Sequence, residues 1–478
     1  MLLLLSGAMG ACFVLGFTLS QNMNLASQGW VWSAGLTATC GLLLRYIGRR
    51  ASAKEMLRKD AIGLVGIGWI VCSLFAALPY LFCPPYLNLA PAIFESVSGL
   101  TTTGATGFEN LSIVPATILL WRSITEWLGG MGILAMFVLV SSSLGAGGKS
   151  LFRNESSMHS SEAFGATIKR SARWMWLLYV SLTLACIIGL RSFGMNTFQA
   201  VNHGMTTVAT GGFSTENDSI HGFNLAIKSW IIVFMIACGI SFPLYLTLIH
   251  KRSWKPLNSH EEVWAFLALI VLASAGIAVG RHLAGEFFAP GITETIHTVF
   301  NVVSISTGTG YAVGDYNAWP TLGKGVLLVL MMVGGCAGST SGGLKVSRII
   351  LLLKIVRSEI QRTYRPNLVV THRINGRPAP DGARGQLLAV FASAAIAGVF
   401  GSSLLVVLEP NTSVQGCITA VISALSNTGP AFAEFGPTKH YSELSSPAMV
   451  LLSSLMVLGR LEYIALLVLL SRKLWKRF

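Results

Sequence analysis

Charge is scarce in this sequence: only 11% of its 478 residues are Asp, Glu, Lys or Arg, whereas soluble domains carry about 25%. Hydrophobic residues make up 53% and the mean hydropathy is +0.63, which excludes a soluble globular chain. Cysteine is thin and scattered: the eight thiols, from Cys12 to Cys417, have no spacing that suggests a disulfide framework or a metal site. The nine histidines show no metal-ligand spacing either. No G-x-S-x-G elbow is present. Gly148-Lys149-Ser150 looks like the end of a phosphate-binding loop, but Ser143 stands where that loop needs glycine. The chain is therefore expected to be no enzyme and to hold no cofactor of its own.

What the chain has in quantity is apolar runs of about 20 residues, long enough to cross a hydrocarbon core. The first, about Leu2 to Ser20, lacks a basic start and a small-residue cleavage site and reads as a retained helix. The net charge of +14 is distributed with a pattern: 27 of the 34 basic residues fall in five alternate connections, Arg45 to Lys59, Lys149 to Arg173, Lys251 to Lys255, Lys345 to Arg384 and Arg472 to Arg477. Leu81 to Ser112 has no Lys or Arg. By the positive-inside rule both termini are cytoplasmic. The excess of basic residues belongs to the membrane face, and no nucleic-acid partner is expected. The opposite face carries ten acidic residues against five basic ones, a mouth that would concentrate cations.

The expected fold is all-α and membrane-integral: two N-terminal helices, then one unit repeated four times. Each unit has a spanning segment, a short amphipathic helix, a Gly- and Thr-rich turn and a second spanning segment, giving about ten spanning helices and four re-entrant half-helices. The proposed divisions are 1–60 (the two helices and a basic connection), 61–171, 172–260, 261–384 and 385–478 (the four units). Aligning the turns on one glycine puts Gly104, Gly212, Gly310 and Gly429 in register. The short segments start near Pro91, Asn196, Thr293 and Asn411, which serve as expected caps, and are too brief to span. Irregular backbone at membrane depth persists only beside protein or a watery cavity, so four such turns in pseudo-fourfold positions can share one pore.

Dehydrating a cation such as K⁺ calls for uncharged oxygens at fixed positions, and backbone carbonyls beside glycine supply them. The candidate ligands are the carbonyls of Thr102-Thr103-Gly104, Thr210-Gly211-Gly212, Gly308-Thr309-Gly310 and Asn427-Thr428-Gly429. Any one Gly-Thr turn is ordinary; four in register are not. A second signal is the run Gly334-Gly335-Cys336-Ala337-Gly338-Ser339-Thr340-Ser341-Gly342-Gly343, with Lys345 after it, which interrupts an apolar stretch from about Gly325 to Val356. It reads as a movable constriction, a gate, with a small-residue packing face as the plainer alternative. Arg460, inside the apolar run from Ala448 to Leu470, is a costly charge. It is expected to meet carbonyls of the interrupted segment, to stand in the pore, or to belong to a structural ion pair. Arg122 and Glu126, four apart, are expected to pair on one helix face.

Together, Thr101-Thr102-Thr103-Gly104-Ala105-Thr106, Trp127-Leu128-Gly129-Gly130-Met131-Gly132, Gly211-Gly212-Phe213-Ser214-Thr215, the Gly334 to Lys345 segment and Gly459-Arg460-Leu461-Glu462 resemble the bacterial TrkH/TrkG potassium-uptake subunits of the Trk/Ktr/HKT superfamily, over nearly the whole chain. The two extra N-terminal helices look like the TrkH branch rather than the shorter KtrB branch. The resemblance implies potassium uptake across a bacterial inner membrane by a homodimer with one pore per protomer. It also implies a cytoplasmic TrkA-type regulatory ring that binds NAD, ATP or ADP, with membrane lipid as the other partner. The third turn departs from the family's usual Thr-Ala-Gly-Phe with Gly308-Thr309-Gly310-Tyr311, and Thr428 stands where Leu is common. A Na⁺-conducting relative, or a K⁺ transporter coupled to Na⁺ or H⁺, is the alternative.

Overall fold

The computed structural model describes residues 1–19, 24–49, 58–143, 161–285, 291–365, 367, 370–379 and 382–463. Those residues are predominantly helical, which satisfies backbone polar groups internally where no water is at hand. Helices α1 (Leu2–Leu19) and α2 (Asn24–Gly48) open the chain close to the expected bounds. The basic stretch from Lys149 to Ser160 with its Gly148-Lys149-Ser150, and the terminal Arg472 to Arg477, lie outside the described residues.

The first unit follows as α3 (Arg58–Ala76), α4 (Leu78–Phe82), the short α5 (Leu89–Leu100) and α6 (Ala116–Ser143). The second is α7 (Ser161–Ser192), short α8 (Thr197–Ala209), α9 (Leu225–Gly239) and α10 (Phe242–Lys251). After α11 (Lys255–Asn258) come α12 (Glu261–Leu283), short α13 (Ile292–Ser306), α14 (Thr321–Val333) and α15 (Val346–Tyr364). The last unit is α16 (Ala383–Leu408), short α17 (Val414–Ser426) and α18 (Ser446–Arg460).

Three expectations need correction. The second spanning segment of the second unit is not one helix: α9 and α10 meet at 87°, with Gly239 before the break and Pro243 after it. The chain is not purely helical, since β1 (Arg373–Ile374) and β2 (Arg377–Pro378) form an antiparallel hairpin inside what reads as a plain basic connection. Its two-residue turn, Asn375-Gly376, has both φ positive, at +51° and +75°, as such hairpin turns require. The caps of the short helices also shift: Asn196 caps α8 as expected, but Asn88, Gly291 and Ser413 precede α5, α13 and α17.

Four single stretches are long and apolar enough to cross a membrane, Gly63–Phe82, Arg170–Ser192, Glu261–Leu283 and Ala383–Leu408, with the bent α9–α10 pair as a fifth. Only 17% of the apolar window in Ala383–Leu408 is buried by protein, and Val399, Phe400 and Val407 on it are exposed. Such a surface is stable against lipid and not against water. The protein is a multi-pass membrane protein.

Packing follows a cycle. The helix after each turn lies against the short helix of the next unit: α6 on α8, α9 on α13, α14 on α17, and α18 back on α5. One apolar core joins α1, the first unit and the last; a second joins the middle two.

Candidate functional site

The short helices run 12, 13, 15 and 13 residues and end directly in the glycine turns. All four turns solve their geometry in the same way. The aligned glycines Gly104, Gly212, Gly310 and Gly429 have φ of +79°, +85°, +81° and +95°, and the residues two before them, Thr102, Thr210, Gly308 and Asn427, have φ of +50°, +52°, +67° and +53°. Left-handed backbone is costly for β-branched Thr, so the surroundings must enforce it.

The enforcement is mutual. A Cβ on Gly104 would lie 2.1 Å from the carbonyl oxygen of Gly211; one on Gly212, 2.0 Å from that of Thr309; on Gly310, 2.0 Å from that of Thr428; on Gly429, 2.3 Å from that of Thr103. Each aligned glycine is thus pressed against the carbonyl that precedes the next one, and the fourth contact returns to the first turn. Only glycine fits at any of the four positions. The Asn427 amide donates to Thr103 Oγ1 at 3.1 Å and to the Met456 carbonyl at 2.8 Å, tying the last turn to the first. Thr101 with Thr103, and Thr307 with Thr309, pair their hydroxyls at 2.7 Å.

Behind the turns lies a shell of buried polar side chains that the sequence reading missed. Glu95, His203 and Asn301 stand at one offset, nine residues before the aligned glycines, and all three are fully buried. Glu95 Oε2 accepts from Gly107 N at 2.8 Å; Asn301 accepts from Val313 N at 3.0 Å and donates to the Val313 carbonyl at 2.9 Å; His203 Nε2 lies 3.0 Å from Ser214 Oγ. The last unit has Ala420 at that offset, and the neighbouring Thr419 accepts from Phe432 N at 3.2 Å. The common offset was the available signal; the differing residue types concealed it.

Arg122 does not pair with Glu126. Its Nε meets Glu95 Oε1 at 2.6 Å, its Nη1 donates to the Ser214 carbonyl at 3.1 Å, and its guanidinium lies 3.9 Å from the Phe213 ring centre. Glu126 instead accepts from Phe213 N at 3.2 Å, directly behind Gly211, where a Cβ would meet its carboxyl carbon at 2.4 Å. Both residues brace the first two turns. Glu95, counted among the outer acids, is therefore spent on an internal pair. Tyr311, the departure from Phe in the third turn, is fully buried and its hydroxyl bonds Thr206 Oγ1 on α8.

The interrupted segment separates α14 from α15 as expected, and it packs beneath the turns. Thr340 Oγ1 donates to the Val208 and Cys238 carbonyls at 3.2 and 3.3 Å and also meets Thr210 Oγ1 at 3.3 Å. A Cβ on Gly342 would meet the Ser426 carbonyl oxygen at 2.4 Å, and one on Gly334 the Gly342 oxygen at 2.3 Å. Ser341 Oγ accepts from Gly335 N at 2.9 Å, Ser339 Oγ donates to the Cys336 carbonyl at 2.6 Å, and the Gly338 carbonyl accepts from Phe242 N at 3.0 Å. The Lys345 ammonium, buried, is hydrogen-bonded to the Ser341 carbonyl and lies 3.5 Å from that of Gly342; Gly343, at φ +70°, lies between.

Arg460 is 2% exposed and donates from Nη1 to the Thr340 carbonyl at 3.0 Å and from Nη2 to that of Gly129 at 3.5 Å. One of its two carbonyl partners belongs to the interrupted segment, as one of the three expected arrangements has it, and the other belongs to α6. Its setting differs from expectation, however: α18 ends at Arg460 instead of continuing through it. A cation at a helix C-terminus also meets that helix's unpaired carbonyl end. Glu462, beyond the helix, pairs with Arg348.

The fold is shared with known proteins. The chain is 34% identical to the Trk system potassium uptake protein TrkH of Halomonas elongata, over 94% of this chain and 92% of that one. It is 32% identical to the protein of the same name from Escherichia coli (strain K12), over 89% and 88%. It superposes on the crystal structure of the potassium transporter TrkH from Vibrio parahaemolyticus with a TM-score of 0.88 at 30% identity, covering 99% of this chain and 97% of that one. These relatives are cation transporters and not enzymes. With residues 40–279 and 287–477 matching the TrkH family, described as cation transport protein, the chain belongs to that family.

Proposed function

We propose that this protein conducts K⁺ through a selectivity filter made by its four glycine turns, read as four pore-loop units with the boundaries 61–171, 172–260, 261–384 and 385–478. The observation that carries this reading is the closed cycle of glycine-to-carbonyl contacts. It sets the carbonyls of Thr103, Gly211, Thr309 and Thr428 at equivalent places around one centre, with Thr102, Thr210, Gly308 and Asn427 a step deeper. Carbonyl oxygens replace the hydration shell without adding charge, and the four short helices aim their partly negative C-terminal ends at the same point.

Beneath this ring the segment Gly334 to Gly343 serves as the gate. Its glycines allow two backbone paths, and Lys345 and Arg460 hold one of them by bonding its carbonyls. Two fixed positive charges there also oppose a cation passing the closed segment. The protein acts as a homodimer in the bacterial inner membrane with both termini cytoplasmic. Its basic connections suit docking of a TrkA-type regulatory ring that carries the nucleotide. The potassium names of the relatives do not favour the Na⁺-conducting alternative.

The test is radioactive Rb⁺ uptake into liposomes holding the purified protein, with excess K⁺ or Na⁺ as competitor and Gly310→Ser beside it. Competition by K⁺ alone, weakened in the variant, is the expected result. Equal competition by Na⁺ would overturn the ion assignment and leave the architecture standing.

A further inference from the structure

The hairpin β1–β2 and the interrupted segment are joined by a short run of contacts. Asn375, at the hairpin tip, accepts through Oδ1 from the backbone N–H of Glu262 at 3.2 Å. Glu262 is the second residue of α12, and the first-turn N–H groups of a helix have no acceptor of their own. His260, ahead of α12, provides no side-chain cap; the hairpin supplies one from outside. Lys354 on α15 fastens the same corner, reaching Glu261 Oε2 at 2.5 Å and the Arg373 carbonyl of β1 at 2.8 Å.

The Glu262 side chain turns the other way and is buried. Its Oε1 accepts from Ala337 N at 2.7 Å and from Ser347 N at 3.1 Å. Ala337 lies early in the interrupted segment and Ser347 lies in the first turn of α15. The residues between them, Gly338 to Val346, are thus a loop whose two ends hang on a single oxygen atom. That loop cannot swing away from the turns above it while both bonds persist, and breaking them leaves two half-buried N–H groups without this acceptor.

We propose that Glu262 is the clamp that keeps the interrupted segment in its blocking position and that Asn375 positions it, which makes the hairpin a handle through which a contact on the cytoplasmic face acts on conduction. This rests on reading the segment as the gate. What the clamp requires is an acceptor at Oε1, so Gln can replace Glu262 whereas Ala cannot. Asn375 acts through Glu262, and its loss has the smaller effect.

Cys336, fully buried inside the segment, reports release of the clamp. The full-length protein in liposomes is treated with N-ethylmaleimide, Cys336 labelling is read by peptide mass spectrometry, and Rb⁺ flux is measured in parallel. Glu262→Ala removes both bonds and should raise the labelling rate at least about tenfold, the factor that loss of even one charge-assisted hydrogen bond allows, and raise flux with it. Glu262→Gln should return both to the wild-type level, and Asn375→Ala should raise both about threefold. Unchanged labelling in Glu262→Ala that elutes like the wild type overturns the clamp; if that variant fails to fold, unchanged labelling in Asn375→Ala does so. Raised labelling with unchanged flux overturns the control role. If the wild type itself passes no cation, the pore reading fails while Cys336 labelling still decides whether the clamp exists.

Discussion

The four glycine turns and the segment beneath them are built on opposite rules. The turns are copies: the same two left-handed positions and the same contact to the next carbonyl recur in all four units. Among the described residues, the interrupted segment with its long irregular path has no counterpart in the other units. Its nearest analogue, the break between α9 and α10, is closed within two residues. An ion that must be surrounded needs equivalent ligands on every side, whereas a blockade needs only one obstacle. On the proposed reading, placing the obstacle in one unit lets it move without disturbing the ring, whose four members are each wedged against a neighbour.

Gly212→Ala should break the ring side of this contrast most severely. Its new methyl would lie 2.0 Å from the Thr309 oxygen at φ +85°, and the resulting strain of about 1–3 kcal/mol falls on the carbonyl proposed as a ligand. Competition assays should show about a tenfold or greater loss of K⁺ preference with the gate intact. Arg122→Ala tests the shell behind the ring. It strands Glu95 in a buried site, and removing one member of such a pair costs about 3–5 kcal/mol. Thermal unfolding should register that loss, and Arg122→Lys should not restore it, because an ammonium cannot reach Glu95 and the Ser214 carbonyl together with a planar fork.

Shortening Gly338 to Gly343 addresses the other side: leak current should rise while K⁺ over Na⁺ preference holds. Unchanged conductance would remove the distinction between ring and obstacle. The smallest effect is expected at the rim of the last turn. Burial pushes the Glu434 carboxyl up, but hydrogen bonds from Ser413 Oγ and N at 2.8 and 3.2 Å outweigh it and hold the group below its usual value of 4.5. A depressed carboxyl stabilises the fold above the unfolded value and ceases to do so as pH falls through the folded one. The thermal midpoints of wild type and Glu434→Gln should therefore differ at neutral pH and converge below pH 4.5.

The turns were readable from sequence because one glycine recurs after each of four short segments; the left-handed threonines beside it were not, since only their surroundings enforce that backbone. The shell was not, because Glu95, His203 and Asn301 are three residue types doing one task, and only their shared offset betrays it. The Arg122–Glu126 pairing was misread by a rule drawn from isolated helices. Here the N–H of Phe213 and the carbonyl of Ser214, brought in by the second unit, compete for both side chains. The end of α18 at Arg460 was hidden because the apolar run continues past it with no proline or glycine to stop it. Nothing in the sequence around Glu262 announces that its carboxylate receives the backbone groups of residues 337 and 347.

The side-chain bond that ties the last turn back to the first joins Thr103 to Asn427, 324 residues apart. A ribosome releases the first turn long before the last exists, so unit one must wait in the membrane with one side of its glycine turn and one face of its apolar core uncovered. Contacts of such separation form late and slowly, and the waiting surface is exposed to wrong partners meanwhile. Assembly of this protein is therefore decided at its final unit: a chain stopped before residue 427 holds three quarters of a ring and no enclosed path.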